Sequence, residues 1–125
     1  MTENELSKEV VNLAFEIHSV LGPGLFESVY EEVFCHELMR KGLRFNRQQV
    51  IPVIYQGVRL ELGFRSDIIV ENKLLIELKS VEFILPVHKK QLITYLRLTD
   101  IRLGLLINFN VPLIKDGISR IVNGL

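Results

Sequence analysis

Cysteine is almost missing from this chain: Cys35 is the only one in 125 residues, so an internal disulfide is excluded. It falls at an apolar position of a helical pattern and reads as a packed thiol in a reducing cytoplasm, not as a nucleophile. Net charge is missing too. Fifteen basic side chains balance fifteen acidic ones, so the molecule as a whole offers nucleic acid no electrostatic attraction, although a bound metal ion would add local positive charge that this tally omits. No apolar run approaches the roughly 18 residues needed to cross a bilayer, which argues against a membrane partner. The polar start MTENELSKEV lacks the features of a secretory signal, so the expected location is cytoplasmic. Repeats, linkers and low-complexity tracts are also lacking. With 48% hydrophobic and 24% charged residues the balance is that of an ordinary globular protein, and residues 1–125 are expected to form one domain around one core.

What is present alternates between two periods. Leu6, Val10, Leu13, Ala14, Ile17 and Leu21 recur at spacings of three and four, predicting a helix from about Glu3 to Leu21 that Gly22-Pro23-Gly24 ends. A second helix is expected from about Leu25 to Lys41, with Val29, Val33 and Leu38 inward, Gly42 as its stop, and the first helix as its hairpin partner. The stretches QQVIPVIY, VRLELGFRSDIIV and KLLIEL then read as a three-strand meander with turns at Gln56-Gly57 and Glu71-Asn72. Pro52 removes a backbone donor and so marks the first of these strands as an edge or bulged strand. Pro86 suits the first turn of a third helix through about Leu98, IRLGLLINF reads as a buried strand, and GISRIV as a short last one. A strand, a crossover helix and another strand imply one parallel pair.

Chemistry concentrates on the third strand. Side chains alternate faces along a strand, so Glu77 and Lys79 share one face while Ile76 and Leu78 share the other. Asp67 holds a comparable place in the preceding strand, and the turn at Glu71-Asn72 would bring Asp67 and Glu77 together. Two carboxylates and a nearby carbonyl form a hard oxygen site that suits Mg²⁺ or Mn²⁺ better than zinc, and no histidine or cysteine cluster competes. An isolated E-x-K is weak, since a solvent-facing ion pair is written with the same letters. It gains weight from His88, Gln91 and Tyr95, which fall on one face of the third helix among covering Leu92, Ile93 and Leu96. Glu27 and Tyr30 lie three apart near the start of the second helix, where an acid also favours the helix dipole by about 0.3 to 1 kcal/mol and a tyrosine can simply pack.

Taken in order, Gly24, Glu27 and Tyr30 as G-x-x-E-x-x-Y, then Asp67, then Glu77-Leu78-Lys79, then His88, Gln91 and Tyr95 as H-x-x-Q-x-x-x-Y, resemble the GxxExxY proteins of the PD-(D/E)XK nuclease superfamily. The resemblance runs from about Leu13 through LGLLINF. It implies a restriction-endonuclease-like α/β fold, a mixed β-sheet flanked by helices in the order ααβββαβ(β). It implies a nuclease whose catalytic set is Glu27, Asp67, Glu77 and Lys79. Asp67, Glu77 and the backbone carbonyl of Leu78 would bind Mg²⁺ or Mn²⁺, with Glu27 a further candidate ligand and Lys79 near the nucleophilic water. Tyr30, His88, Gln91 and Tyr95 would bind substrate or shape the site, the last two resembling the Q-x-x-x-Y helix motif of recombination-associated exonucleases. The implied partner is nucleic acid, DNA first. Two departures are visible: Ser66 stands where many members carry a proline before the aspartate, and the small size leaves little room for a recognition domain, which points to a homodimer or a partner subunit.

Phosphodiester hydrolysis loads negative charge onto nonbridging oxygens, so Lys79 is expected to act as an electrostatic stabiliser. Beside two carboxylates its ammonium is favoured, which suits that role better than proton abstraction. The competing expectation is a non-catalytic module that keeps the fold and binds nucleic acid or protein through Arg40, Lys41, Arg44 and Arg47.

Overall fold

In the computed structural model, which describes residues 1–125 apart from the side chain of Leu62, the elements follow the expected order. Among the described residues these are helices α1 (Glu3–Leu21) and α2 (Glu27–Arg40), strands β1 (Phe45–Tyr55), β2 (Val58–Val70) and β3 (Leu74–Lys79), helix α3 (Pro86–Thr99), and strands β4 (Leu103–Asn108) and β5 (Ile118–Val122). A short 3-10 turn, Ile114–Gly117, precedes β5 and was not foreseen. The sheet runs in the order β1-β2-β3-β4-β5, antiparallel throughout except for β3 and β4, which α3 joins as a parallel pair. This is the mixed sheet flanked by helices.

Local chemistry explains the boundaries. Thr2 and Glu5 cap α1 reciprocally, the Thr2 hydroxyl accepting from Glu5 N at 3.1 Å and the Glu5 carboxylate from Thr2 N at 3.2 Å. The edge strand β1 carries the irregularity that Pro52 announced: its pairing with β2 shifts register between Ile51 and Val53. Gly63 lies opposite, where a Cβ would stand 1.7 Å from the Ile51 carbonyl oxygen, so no side chain fits there. Gln56 and Gly57 both take positive φ, as do Glu71 and Asn72, which closes the two hairpins.

The phase of α2 differs from expectation at Val29, which is 38% exposed; Val33 packs against the core and Leu38 is buried as expected, and the fully inward stripe is Tyr30, Phe34 and Leu38, each four residues from the last. Tyr30 sets that phase by stacking on Phe109, with ring centroids 4.2 Å apart and planes within 6°. Together α1 and α2 cover one face of the sheet, burying Leu6, Val10 and Leu13 with Leu74, Ile76, Leu78, Leu105 and Ile107. On the opposite face α3 lays Leu92 and Leu96 over Ile69, Leu75 and Leu106. Gly104 permits its close approach, since a Cβ there would meet Leu92 at 3.1 Å. None of the described helices is long and apolar enough to cross a membrane.

Candidate active site

The ladder between β2 and β3 covers only Val70 to Ile68 against Leu74 to Ile76. One step further places Asp67 opposite Glu77, and there side chains take over from the backbone. Asp67 Oδ2 accepts from Leu78 N at 2.8 Å, and Glu77 Oε1 accepts from Asp67 N at 3.3 Å. Two acids are thus held where the strands part. The Lys79 carbonyl turns the other way and accepts from Phe109 N at 2.9 Å. Backbone direction alternates along a strand, so the Leu78 carbonyl faces the opening beside Asp67, beyond the last ladder pair.

Electrostatics at this point are unfavourable in the protein alone. Glu77 is only 7% exposed, and burial followed by the charge of Asp67 pushes its carboxyl up to about 8 from an ordinary 4.5. Asp67 is also raised, chiefly by burial and further by the charge of Glu31, while the Leu78 hydrogen bond and the charge of Lys79 pull the other way. The charge of Lys79 favours ionised Glu77 as well, so this half-buried ammonium acts on both acids. Tyr95 feels them in turn: burial, then Glu77 and Asp67, raise its phenol.

From the other side α2 supplies a second acid that sequence reasoning missed. Glu31 is buried and receives Gln48 Nε2 at 2.6 Å and Arg47 Nε at 2.9 Å, while the same Gln48 amide lies 3.4 Å from Asp67 Oδ1. Gln48 therefore bridges the helix acid and the strand acid from a backbone position with φ 53°. Glu27, Ser28, Glu31, Gln48, Asp67 and Leu78 line one cavity of about 210 Å³. Of these additions only Glu31 left a signal in the sequence, four residues after Glu27 and hence on the same helix face. Asn108, also missed, ends the buried run LGLLIN beside Lys79. It bonds Val81 in both directions, accepting from N at 3.1 Å and donating to O at 2.9 Å, and so holds the loop after β3.

The expected residues separate by position. Asp67, Glu77 and Lys79 come together, and Glu27 lines the cavity that Asp67 and Leu78 also line, its Oε1 accepting from Ser80 N at 3.3 Å. Tyr30 is wholly buried: its hydroxyl donates to Gly22 O at 2.6 Å and accepts from Leu25 N at 3.2 Å, so it shapes the loop before Glu27 and cannot contact substrate. His88 Nδ1 accepts from Leu85 N at 3.0 Å and closes the first turn of α3. Gln91 is exposed. Tyr95 is half-buried and stacks on Phe64 with centroids 3.4 Å apart, joining fold and site. The basic cluster of the competing expectation is occupied by acids: Arg40 pairs with Glu37, Lys41 with Glu9, Arg44 with Glu71, and Arg47 with Glu31 and Glu32. Cys35 is buried and its thiol is pushed up to about 11 by that burial, as befits a packed thiol.

A family model for the PD-(D/E)XK nuclease superfamily matches residues 4–121. The chain belongs to that superfamily. No curated protein and no solved structure matches it. PD-(D/E)XK nucleases typically use divalent metals. Among the described residues no three His, Cys, Asp or Glu side chains are grouped to hold an ion by themselves. The donor chemistry nevertheless fits one. Buried Glu77 and half-buried Asp67 both have carboxyls raised above their ordinary range, the condition that a hard divalent cation relieves, and the Leu78 carbonyl adds a neutral oxygen.

Proposed function

We propose that this PD-(D/E)XK chain is a nuclease that hydrolyses phosphodiester bonds with Mg²⁺ or Mn²⁺ held by Asp67, Glu77 and the carbonyl of Leu78. The observation that carries the reading is the opposition of Asp67 and Glu77 beyond the last β2–β3 pair, with Lys79 one strand repeat further on the same face. A fold that needed only stability would place apolar residues there, as it does at Ile69 and Leu75.

When bound, the ion supplies a Lewis acid and a water of lowered pKa. Asp67 and Glu77 would hold it as carboxylates. Leu78 N fixes the Asp67 carboxylate by its 2.8 Å bond, and Gln48 limits the swing of the other oxygen. Lys79 stabilises charge that develops on the nonbridging oxygens, and its strand position keeps it oriented before the reaction begins. Glu27, across the cavity at the start of α2, orients the attacking water or completes the ligand set. The substrate is nucleic acid, DNA in the first instance, the setting is cytoplasmic, and a second copy or a partner subunit takes part in recognition.

The test is a cleavage assay on single- and double-stranded DNA and RNA with Mg²⁺, Mn²⁺ or EDTA, beside calorimetric titration of Mn²⁺. Metal-dependent cleavage is expected, and a folded Asp67→Asn, Glu77→Gln variant should neither cleave nor bind the ion. Unchanged Mn²⁺ binding in that variant would place the ion elsewhere, and absence of cleavage across the panel would return the chain to the binding-module reading.

A further inference from the structure

The hairpin of β1 and β2 is longer than the sheet it belongs to. β2 spans 13 residues and β3 only 6, and the two pair through Ile68, Ile69 and Val70 alone, so among the described residues 58–67 of β2 have no strand beside them on that edge. Ile51 and Phe64 are the outermost pair still packed with the residues under α3. Past them the chain is a two-stranded ribbon, an arrangement that is marginal in water unless a third strand or an apolar cover supports it. Residues opposite each other share a face, so Val53, Tyr55, Val58 and Leu60 form one apolar side, with Tyr55 63%, Val58 57% and Leu60 45% exposed. Arg59 and Glu61 lie on the other side and pair with each other, both largely exposed, where such a bond contributes little.

The two edges of this ribbon are not equivalent. β1 carries Pro52, which has no amide hydrogen to donate, and its register breaks between Ile51 and Val53, both of which blunt an edge against further pairing. The open edge of β2 has no proline, and its charge pattern fits a copy of itself. About a two-fold axis through Leu60 and normal to the ribbon, each residue of an antiparallel pair meets the one equally far on the other side of the axis. Arg59 then faces Glu61 twice, and Leu60 faces Leu60 on the apolar side. We propose that the protein is a two-fold homodimer in which the open edges of two β2 strands pair antiparallel through residues 58–62, joining the ribbons into one four-stranded sheet with a continuous apolar side. The pairing ends short of Asp67, which leaves the acids of each copy open. A second copy is thereby chosen over a foreign subunit as the partner in the proposed function, on which this pairing rests only for its use in recognition.

Charge reversal tests the contact in sedimentation equilibrium at low salt, where the wild type should be a dimer. Arg59→Glu sets like charges opposite each other at both contacts, and Glu61→Arg does so with the other sign, so each should raise the dimer Kd by about tenfold or more. Mixed in equal amounts, the two variants regain opposite charges at both contacts and should form a heterodimer near the wild-type Kd, which the pairing of Arg59 with Glu61 inside one ribbon cannot produce. Leu60→Cys, at the axis, should form an intermolecular disulfide under mild oxidation, whereas Ile54→Cys, on the far strand of the ribbon, should not; the native Cys35 is buried. All four substituted positions are exposed, and circular dichroism establishes that the variants are folded. A wild type that stays a monomer up to its solubility limit would overturn the inference and leave the ribbon to a foreign subunit or to nucleic acid. So would a dimer indifferent to both reversals, or two variants that fail to recombine. Association is read without substrate, so the two readings fail separately: cleavage by a monomeric wild type removes the dimer and leaves the nuclease, while a dimer that cleaves no substrate removes the nuclease and leaves the pairing.

Discussion

The two faces of β3 are built from adjacent residues and obey opposite rules. Toward α1 and α2, Leu74, Ile76 and Leu78 are sealed in an apolar core where each side chain contributes by leaving water. Toward α3, Leu75 is buried in the same way, but the strand then continues with Glu77, buried at an electrostatic cost, and with half-buried Lys79. One strand thus joins a face that stabilises to a face that carries an electrostatic cost. The difference teaches that stability and activity should separate by the parity of the residue number, a pattern that mutation can break.

The largest effect is expected on the apolar face. Ile76→Ala should lower unfolding free energy by about 2–5 kcal/mol, because a fully buried side chain in a packed core leaves a cavity that its neighbours fill only in part. Urea titration measures this, and the specific activity of the folded fraction should stay near that of the wild type. Across the backbone, Lys79→Ala should spare Mn²⁺ binding and stability while slowing single-turnover cleavage by about 10² to 10³, the usual loss for one preorganised electrostatic donor. Lys79→Arg should recover only part, since a planar guanidinium does not reproduce a compact ammonium. A wild-type rate in Lys79→Ala would reduce the lysine to a partner of Glu77 and end the comparison.

That parity was legible in the sequence, because alternation along LLIELK is a local property and the turn at Glu71-Asn72 sets which residue Glu77 meets. The helix boundaries were legible for the same reason: Gly22, Gly42 and Pro86 act on their own neighbours. What could not be read depends on contacts between distant segments. The inward phase of α2 follows from Tyr30 stacking on Phe109, 79 positions away, and periodicity alone allowed Val29 instead. Gln48 reaches Glu31 and Asp67 only because β1 gives it a positive φ that no local sequence feature demands. Two partners of the basic cluster at the end of α2, Glu9 for Lys41 and Glu71 for Arg44, lie far off in the chain and could not be read from it, whereas Glu37 for Arg40 and Glu31 and Glu32 for Arg47 stand on α2 itself.

Titration sharpens the comparison at a smaller scale. In EDTA, Glu77 in the native state keeps its proton up to about pH 8, whereas the unfolded chain releases it near 4.5. Between those values the native state binds the extra proton, so stability is full below about pH 4.5 and falls as pH rises toward 8. Asp67, raised in the same direction, adds a loss of the same sign as its own carboxyl ionises. The melting temperature without metal should therefore decline across this window, by a few degrees or more for a domain of this size. Glu77→Gln should flatten the decline, and added Mn²⁺ should oppose it. A variant Ile76→Val, altered only on the apolar face, should keep the wild-type slope at a lower temperature; a flat wild-type profile would show that burial does not burden Glu77.

The smallest effect separates neighbours on α3. Leu92 is fully buried under the helix against Gly104, while Gln91, one residue earlier, is exposed. It precedes Tyr95 by four positions, and Tyr95 is the ring whose phenol feels Glu77 and Asp67. Alanine is the better helix former by a few tenths of a kcal/mol, so Gln91→Ala should leave the melting temperature unchanged or slightly raised. If the amide donates one hydrogen bond to substrate, its loss should lower cleavage by about twofold to tenfold, the range of about 0.5–1.5 kcal/mol expected for a single neutral bond. Tyr95→Phe supplies the control, because it keeps the stack on Phe64 and removes only the hydroxyl whose ionisation Glu77 and Asp67 oppose. Both variants should melt like the wild type and cleave more slowly. A marked fall in melting temperature for Gln91→Ala with unaltered specific activity would put that side chain on the structural side of the helix, and the division between the two faces would then stop at β3.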